Sequence, residues 1–84
     1  MASAYAGDVR KLVQEVAKTL VDCPDEVQVD AVPEGELLVL ELTVAETDMG
    51  RVIGKSGRTA RALRALLSAA AAKANKHCSL EILE

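Results

Sequence analysis

Residues 49–59 read MGRVIGKSGRT, and two phosphate-binding chemistries compete for them. Gly54-Lys55-Ser56 copies the end of a nucleotide-binding P-loop, where backbone amides and a lysine cradle phosphates and a hydroxyl meets Mg²⁺. That loop needs four residues between its glycines. Gly50 and Gly54 enclose only Arg51, Val52 and Ile53. Gly54 and Gly57 instead frame a G-x-x-G loop with Lys55 and Ser56 at its tip. Two glycines around two free positions permit a sharp turn and a close approach of backbone to a ligand. The loop amides and the first turn of a following helix form an anion site. Lys55 and Arg58 add positive charge, and Val52 and Ile53 line an apolar groove for bases. This arrangement suits the phosphodiester backbone of a single strand better than the terminal phosphates of a nucleotide.

Other chemistries find little support. Cys23 and Cys78 stand alone, and His77 is the only histidine. That leaves no metal-ligand set and no histidine-based triad. Both cysteines are expected as buried or half-buried small hydrophobes. No catalytic residue, metal, cofactor or small-molecule substrate is assigned, and the chain reads as non-enzymatic. Tyr5 is the sole aromatic residue, which argues against modules that stack bases on aromatic platforms.

The formal net charge of −3 conceals a split. Residues 1–48 carry three basic and eleven acidic side chains; residues 49–78 carry seven basic and none acidic. Such asymmetry points the basic part toward a polyanionic partner.

The elements that must position the loop follow from periodicity. A helix is expected from about Ala4 or Asp8 to Leu20, capped by Asp8, with Val9, Leu12, Val13, Val16 and Leu20 on one stripe. Pro24 ends it. Residues 27–31 alternate as a half-buried strand, Pro33–Glu36 is a turn, and Leu37–Val44 is a longer strand. Apolar residues on both faces at the start of that second strand predict partial cover on its outer side. Thr47-Asp48 reads as the N-cap of a short helix over Met49–Ile53, in which Gly50 serves close packing and which Gly54 stops. A long helix follows over Arg58–Lys76, burying Ala60, Leu63, Leu67, Ala70, Ala71 and Ala74. Arg58, Arg61, Lys73 and Lys76 lie on its opposite side and Arg64 at the flank. Cys78–Ile82 is a last strand. The loop therefore lies between two helices, whereas a P-loop joins a strand to a helix. The expected fold is α+β: a two-layer αββααβ sandwich whose three-stranded sheet is covered on one face by three helices. Eighty-four residues predict one domain over 1–84, with its core at about 5–83. No apolar run is long enough to span a membrane and the N-terminus lacks a signal-peptide pattern, so a cytoplasmic protein is expected.

The run Asp48-Met49-Gly50-Arg51-Val52-Ile53-Gly54-Lys55-Ser56-Gly57-Arg58-Thr59-Ala60-Arg61-Ala62-Leu63-Arg64 resembles the signature of the KH domain, whose G-x-x-G loop clamps the backbone of four nucleotides. The element order matches its type II form. With the domain filling the chain, the sequence resembles the bacterial stand-alone KH-domain RNA-binding proteins of the KhpA family over about residues 5–83. The resemblance implies single-stranded RNA binding, a role as RNA chaperone or post-transcriptional regulator, and links to cell shape. It also implies a homodimer or a heteromer with a KhpB-family protein. The implied RNA-binding residues are Arg51, Val52, Ile53, Gly54, Lys55, Ser56, Gly57, Arg58 and Arg61. Gly54 and Gly57 shape the loop, and larger residues there would block backbone approach. Lys55 meets phosphate, Ser56 donates a hydrogen bond, Arg51 and Arg58 flank the groove, and Val52 and Ile53 form its floor. An alternative is a protein-interaction module in which the basic helix face meets an acidic partner, such as the acidic half of a second copy.

Overall fold

A computed structural model describes residues 3–84; Met1 and Ala2, the start of the expected domain, lie outside the described residues. The apolar stripe at four-residue spacing forms α1, Ser3–Leu20. Its buried positions are Val9, Val13 and Ala17, while Leu20 is 37% exposed. Asp8 lies within α1, so it is not the cap. The two strands are β1, Gln28–Glu34, and β2, Leu37–Thr43, paired antiparallel from Gln28↔Thr43 to Glu34↔Leu37. The turn is thus tighter than expected, and Pro33 belongs to β1. Proline is tolerated there because β1 is an edge strand.

After a 3₁₀ turn at Glu46–Asp48 come α2, Met49–Ile53, and α3, Arg58–Lys73. The long helix stops short of Lys76 because Asn75 takes a left-handed conformation, φ 58°. Lys76 N–H then donates to Ala71 O at 2.8 Å and Asn75 N–H to Ala72 O at 3.0 Å, which satisfies the last carbonyls of the helix. β3, His77–Ile82, runs parallel to β2 from Leu37↔His77 to Leu42↔Ile82. The sheet order is β1-β2-β3, so the elements follow α-β-β-α-α-β around a mixed sheet.

The core lies between the sheet and the helices. Leu40 and Leu42 of β2 are fully buried against Val9 and Val13 of α1, Val52 of α2, and Leu63 and Leu67 of α3. Each fully buried leucine contributes about 1.5–3 kcal/mol relative to exposure. Along α3 the buried positions are Ala60, Leu63, Leu67 and Ala71; Ala74 is exposed. The opposite sheet face behaves differently. Val39 is buried there, between its register neighbours Val32 and Ser79, while Leu37 is 36% exposed. Among the described residues no helix covers that face, so Val39 owes its burial to flanking strands.

Candidate functional site

The loop is built by three consecutive backbone decisions. Gly54 turns out of α2 with φ 78° and ψ 168°, its N–H closing the helix on Gly50 O at 2.8 Å. Ser56 and Gly57 then both enter the left-handed region, at φ 58° and φ 72°. Arg58 returns to helical angles and starts α3, so Lys55–Gly57 is a tight turn with left-handed residues between two helices, with Gly57 N–H donating to Gly54 O at 3.1 Å. Ser56 bears the steric cost of that region, roughly 1–2 kcal/mol for an L residue with a Cβ.

The two loop glycines are required for different reasons. A Cβ at Gly54 would lie 2.7 Å from both the Cβ and the backbone nitrogen of Thr59 and strike its hydroxyl. The first turn of α3 thus occupies that space before any ligand arrives. At Gly57 a Cβ would meet nothing within 4 Å, and only the positive φ demands glycine. Gly50 also has nothing within 4 Å, so close packing is not its reason.

The cations around the loop differ in what they touch. Arg61 Nη2 donates to Ser56 O at 2.8 Å, reaching back from α3 to the loop tip. Arg51 Nη2 lies 2.9 Å from Asp22 Oδ2, and its Nε lies 3.7 Å from Asp48 Oδ1. Lys55 and Arg58 make no ion pair or side-chain hydrogen bond among the described residues. Lys76 lies beyond α3, its ammonium 5.8 Å from the centre of the Tyr5 ring, and so belongs to the far end of the molecule.

Asp48 is the residue whose role sequence reasoning missed. It makes no capping hydrogen bond to α2. Its carboxylate is 1% exposed and accepts from the backbone N–H groups of Asp22 and Cys23, each at 3.0 Å. The Asp22 amide does most to hold the carboxyl below its ordinary pKa; burial works against this, and the Cys23 amide and Arg51 add to the lowering. Asp48 thereby ties the segment after α1 to the start of the loop-bearing helix. A local capping pattern and a long-range anchor look alike in sequence, because an acidic residue before a helix serves either.

The two apolar candidates separate. Val52 is fully buried in the core, so it supports the groove from beneath and presents no surface to a ligand. Its neighbour Ile53 is 38% exposed beside the loop. Farther along, a hollow of about 340 Å³ opens between Val16 and Leu20 of α1 and Ala62 and Leu66 of α3, with Arg58 at its edge. Leu66 is 43% exposed. Both cysteines are half-buried and free. Burial pushes both thiols above their ordinary pKa, with the Asp48 carboxylate adding to the effect at Cys23, so neither is an activated nucleophile. No helix among the described residues is long and apolar enough to cross a membrane.

The arrangement can hold an anion: glycine-opened backbone and an α3 N-terminus with no side-chain cap lie beside Lys55 and Arg58, which have no internal partner among the described residues. A family model described as the KhpA/KhpB KH domain matches residues 10–82. The RNA-binding protein KhpA of Clostridium acetobutylicum is 52% identical over 75 residues, covering 89% of this chain and all of that protein. The protein of the same name from Borreliella burgdorferi is 44% identical over 78 residues, 93% of this chain and 95% of that one. A crystal structure of Aquifex aeolicus Era bound to GDP·AlF4⁻ superposes with a TM-score of 0.59 at 21% identity, covering 88% of this chain and 29% of Era. That likeness concerns the fold alone.

Proposed function

This chain belongs to the KhpA/KhpB KH-domain family, and from that premise we propose that it binds single-stranded RNA through the Gly54–Gly57 loop. One observation carries the reading: at the loop, Lys55 and Arg58 have no partner among the described residues and stand beside backbone opened by two positive-φ glycines. The phosphodiester backbone crosses the loop, and the bases lie toward Ile53. In this reading one KH domain fills residues 1–84 and works in the cytoplasm, without catalysis, as an RNA chaperone or post-transcriptional regulator.

Replacing Lys55 and Ser56 together by Asp sets negative charge against the phosphates without touching the core. Binding of a labelled single-stranded RNA should weaken by at least about fivefold, since like charges a few ångströms apart near a protein surface cost on the order of 1–4 kcal/mol. Unchanged affinity in a variant with a wild-type circular dichroism spectrum would remove the loop from the site.

We further propose self-association, or pairing with a KhpB-type partner, through the hollow between α1 and α3. Exposed apolar surface of this kind marks contact sites, and Leu20 and Leu66 both line it. Two joined copies would present two grooves and gain RNA affinity through effective concentration. Light scattering should show wild type above monomer mass and the Leu66→Asp variant at monomer mass. A wild type that stays monomeric well into the micromolar range would exclude self-association.

A further inference from the structure

Resting on that RNA-binding reading, we propose that the four cations around the loop have two distinct roles. Lys55 and Arg58 neutralise phosphate, whereas Arg51 and Arg61 position the loop. A guanidinium that contacts phosphate must surrender whatever it already holds. Arg51 holds two carboxylates, Asp22 and the buried Asp48, and the three side chains together carry net negative charge. A phosphate arriving there meets a satisfied ion pair and a carboxylate excess. Arg61 holds the carbonyl of Ser56, the one loop residue with a side chain in the left-handed region. Without that donor the tip is free to leave its positive-φ conformation.

One brace acts on the helix that enters the loop and the other on the loop tip. Asp48 is fixed by the Asp22 and Cys23 amides and in turn holds Arg51, which sits in the middle of α2. Arg61, one turn into α3, secures the tip. Lys55 and Arg58 stand between these anchors with no internal partner among the described residues. In this division the braced loop carries two charges with no internal partner among the described residues, which reduces the ordering cost of binding.

Counterion release separates the two roles. A labelled single-stranded oligoribonucleotide is titrated by fluorescence anisotropy over a salt series, and amide exchange is followed by NMR in the free protein. Each phosphate-neutralising cation removed should flatten the log K against log [salt] slope by about 0.7. Lys55→Gln and Arg58→Gln are each expected to flatten it by that amount. Arg61→Gln should weaken binding with the slope unchanged and speed exchange of the Ser56 and Gly57 amides. Asp22→Asn tests Arg51 while keeping its charge and the core: as a brace, Arg51 leaves the slope unchanged, whereas as a reserve ligand it steepens the slope by about 0.7 once released. A flattened slope for Arg61→Gln with wild-type amide exchange, or a steepened slope for Asp22→Asn, overturns the division. Should wild type bind no RNA, the RNA reading and the assignment of Lys55 and Arg58 fall together. The exchange rates alone then decide whether Arg61 braces the loop.

Discussion

The loop end of the helical layer and the uncovered face of the sheet handle charge in opposite ways. Around Gly54–Gly57, Arg51 and Arg61 have specific partners, whereas Lys55 and Arg58 have none among the described residues. On the sheet, Asp30, Glu41 and Glu81 lie directly opposite one another across three adjacent strands. Those strands carry no lysine or arginine. Their one side-chain partner among the described residues is Gln28, whose Nε2 donates to Asp30 at 3.3 Å. Opposed like charges weaken a sheet, so this face tolerates a local cost that the loop end avoids. The net charge is therefore a poor guide to partners. The acidic row disfavours a polyanion on the sheet side, the basic residues gather at the loop end, and the fold keeps the two surfaces on separate layers.

Substitutions at four positions sharpen or break that contrast. The largest expected loss is at the loop's anchor. Asp48→Ala strands the Asp22 and Cys23 amides and half of Arg51's pairing, and should give the lowest urea midpoint of any replacement at these positions. Its pH signature has a definite sign. Because the folded-state pKa is depressed, Asp48's contribution is complete at neutral pH and is lost as pH falls through the ordinary carboxylate range to the lowered value. Asp48→Asn should lose less Tm than wild type over that acidification, and parallel curves would deny the anchor its role. Next comes Gly54→Ala, where a positive φ and a collision with the backbone of Thr59 combine; about 2–4 kcal/mol of stability should be lost in urea unfolding. Gly57→Ala meets open space and should lose only about 1–2 kcal/mol, the conformational term alone. Equal losses at the two glycines would mean that Thr59 yields readily. The smallest effect has the opposite sign. Glu41→Gln at the centre of the acidic row should stabilise by roughly 0.2–1 kcal/mol, and the gain should shrink at high salt as the repulsion is screened. A gain that ignores salt would point to packing rather than charge.

Most of the fold was legible because one face of each element is apolar at its own period: Val29 in β1, Leu40 and Leu42 in β2, Leu63 and Leu67 in α3. What escaped was decided at long range or by small residues. Ala17 completes the buried stripe of α1 where Leu20 was expected, because a four-residue step from Val13 leads to it and leaves Leu20 at the helix rim. Val52 and Ile53 are equally apolar neighbours, and only the docking of α2 decides which is buried. Within the site, the glycines and the free cations were readable from spacing. The braces were not: Asp48 reaches back to Asp22 and Cys23 across both strands of the hairpin, and Arg61 spends its hydrogen bond on a carbonyl that no pattern of side chains reveals. Asn75 was a missed but readable stop, since asparagine is among the residues that tolerate the left-handed cap.

The parallel pairing of β2 with β3 has a kinetic consequence. Everything from α2 through the loop to α3 lies inside the single crossover that joins these neighbouring strands. Loop-closure entropy is therefore spent before any β2–β3 contact returns it. α3 packs on β3 as well as on α1 and α2, so until β3 docks it has only part of its packing surface. The loop-bearing segment thus completes its packing only when β3 has joined the sheet, and a chain lacking that strand carries the sequence of the loop without all of its supporting contacts.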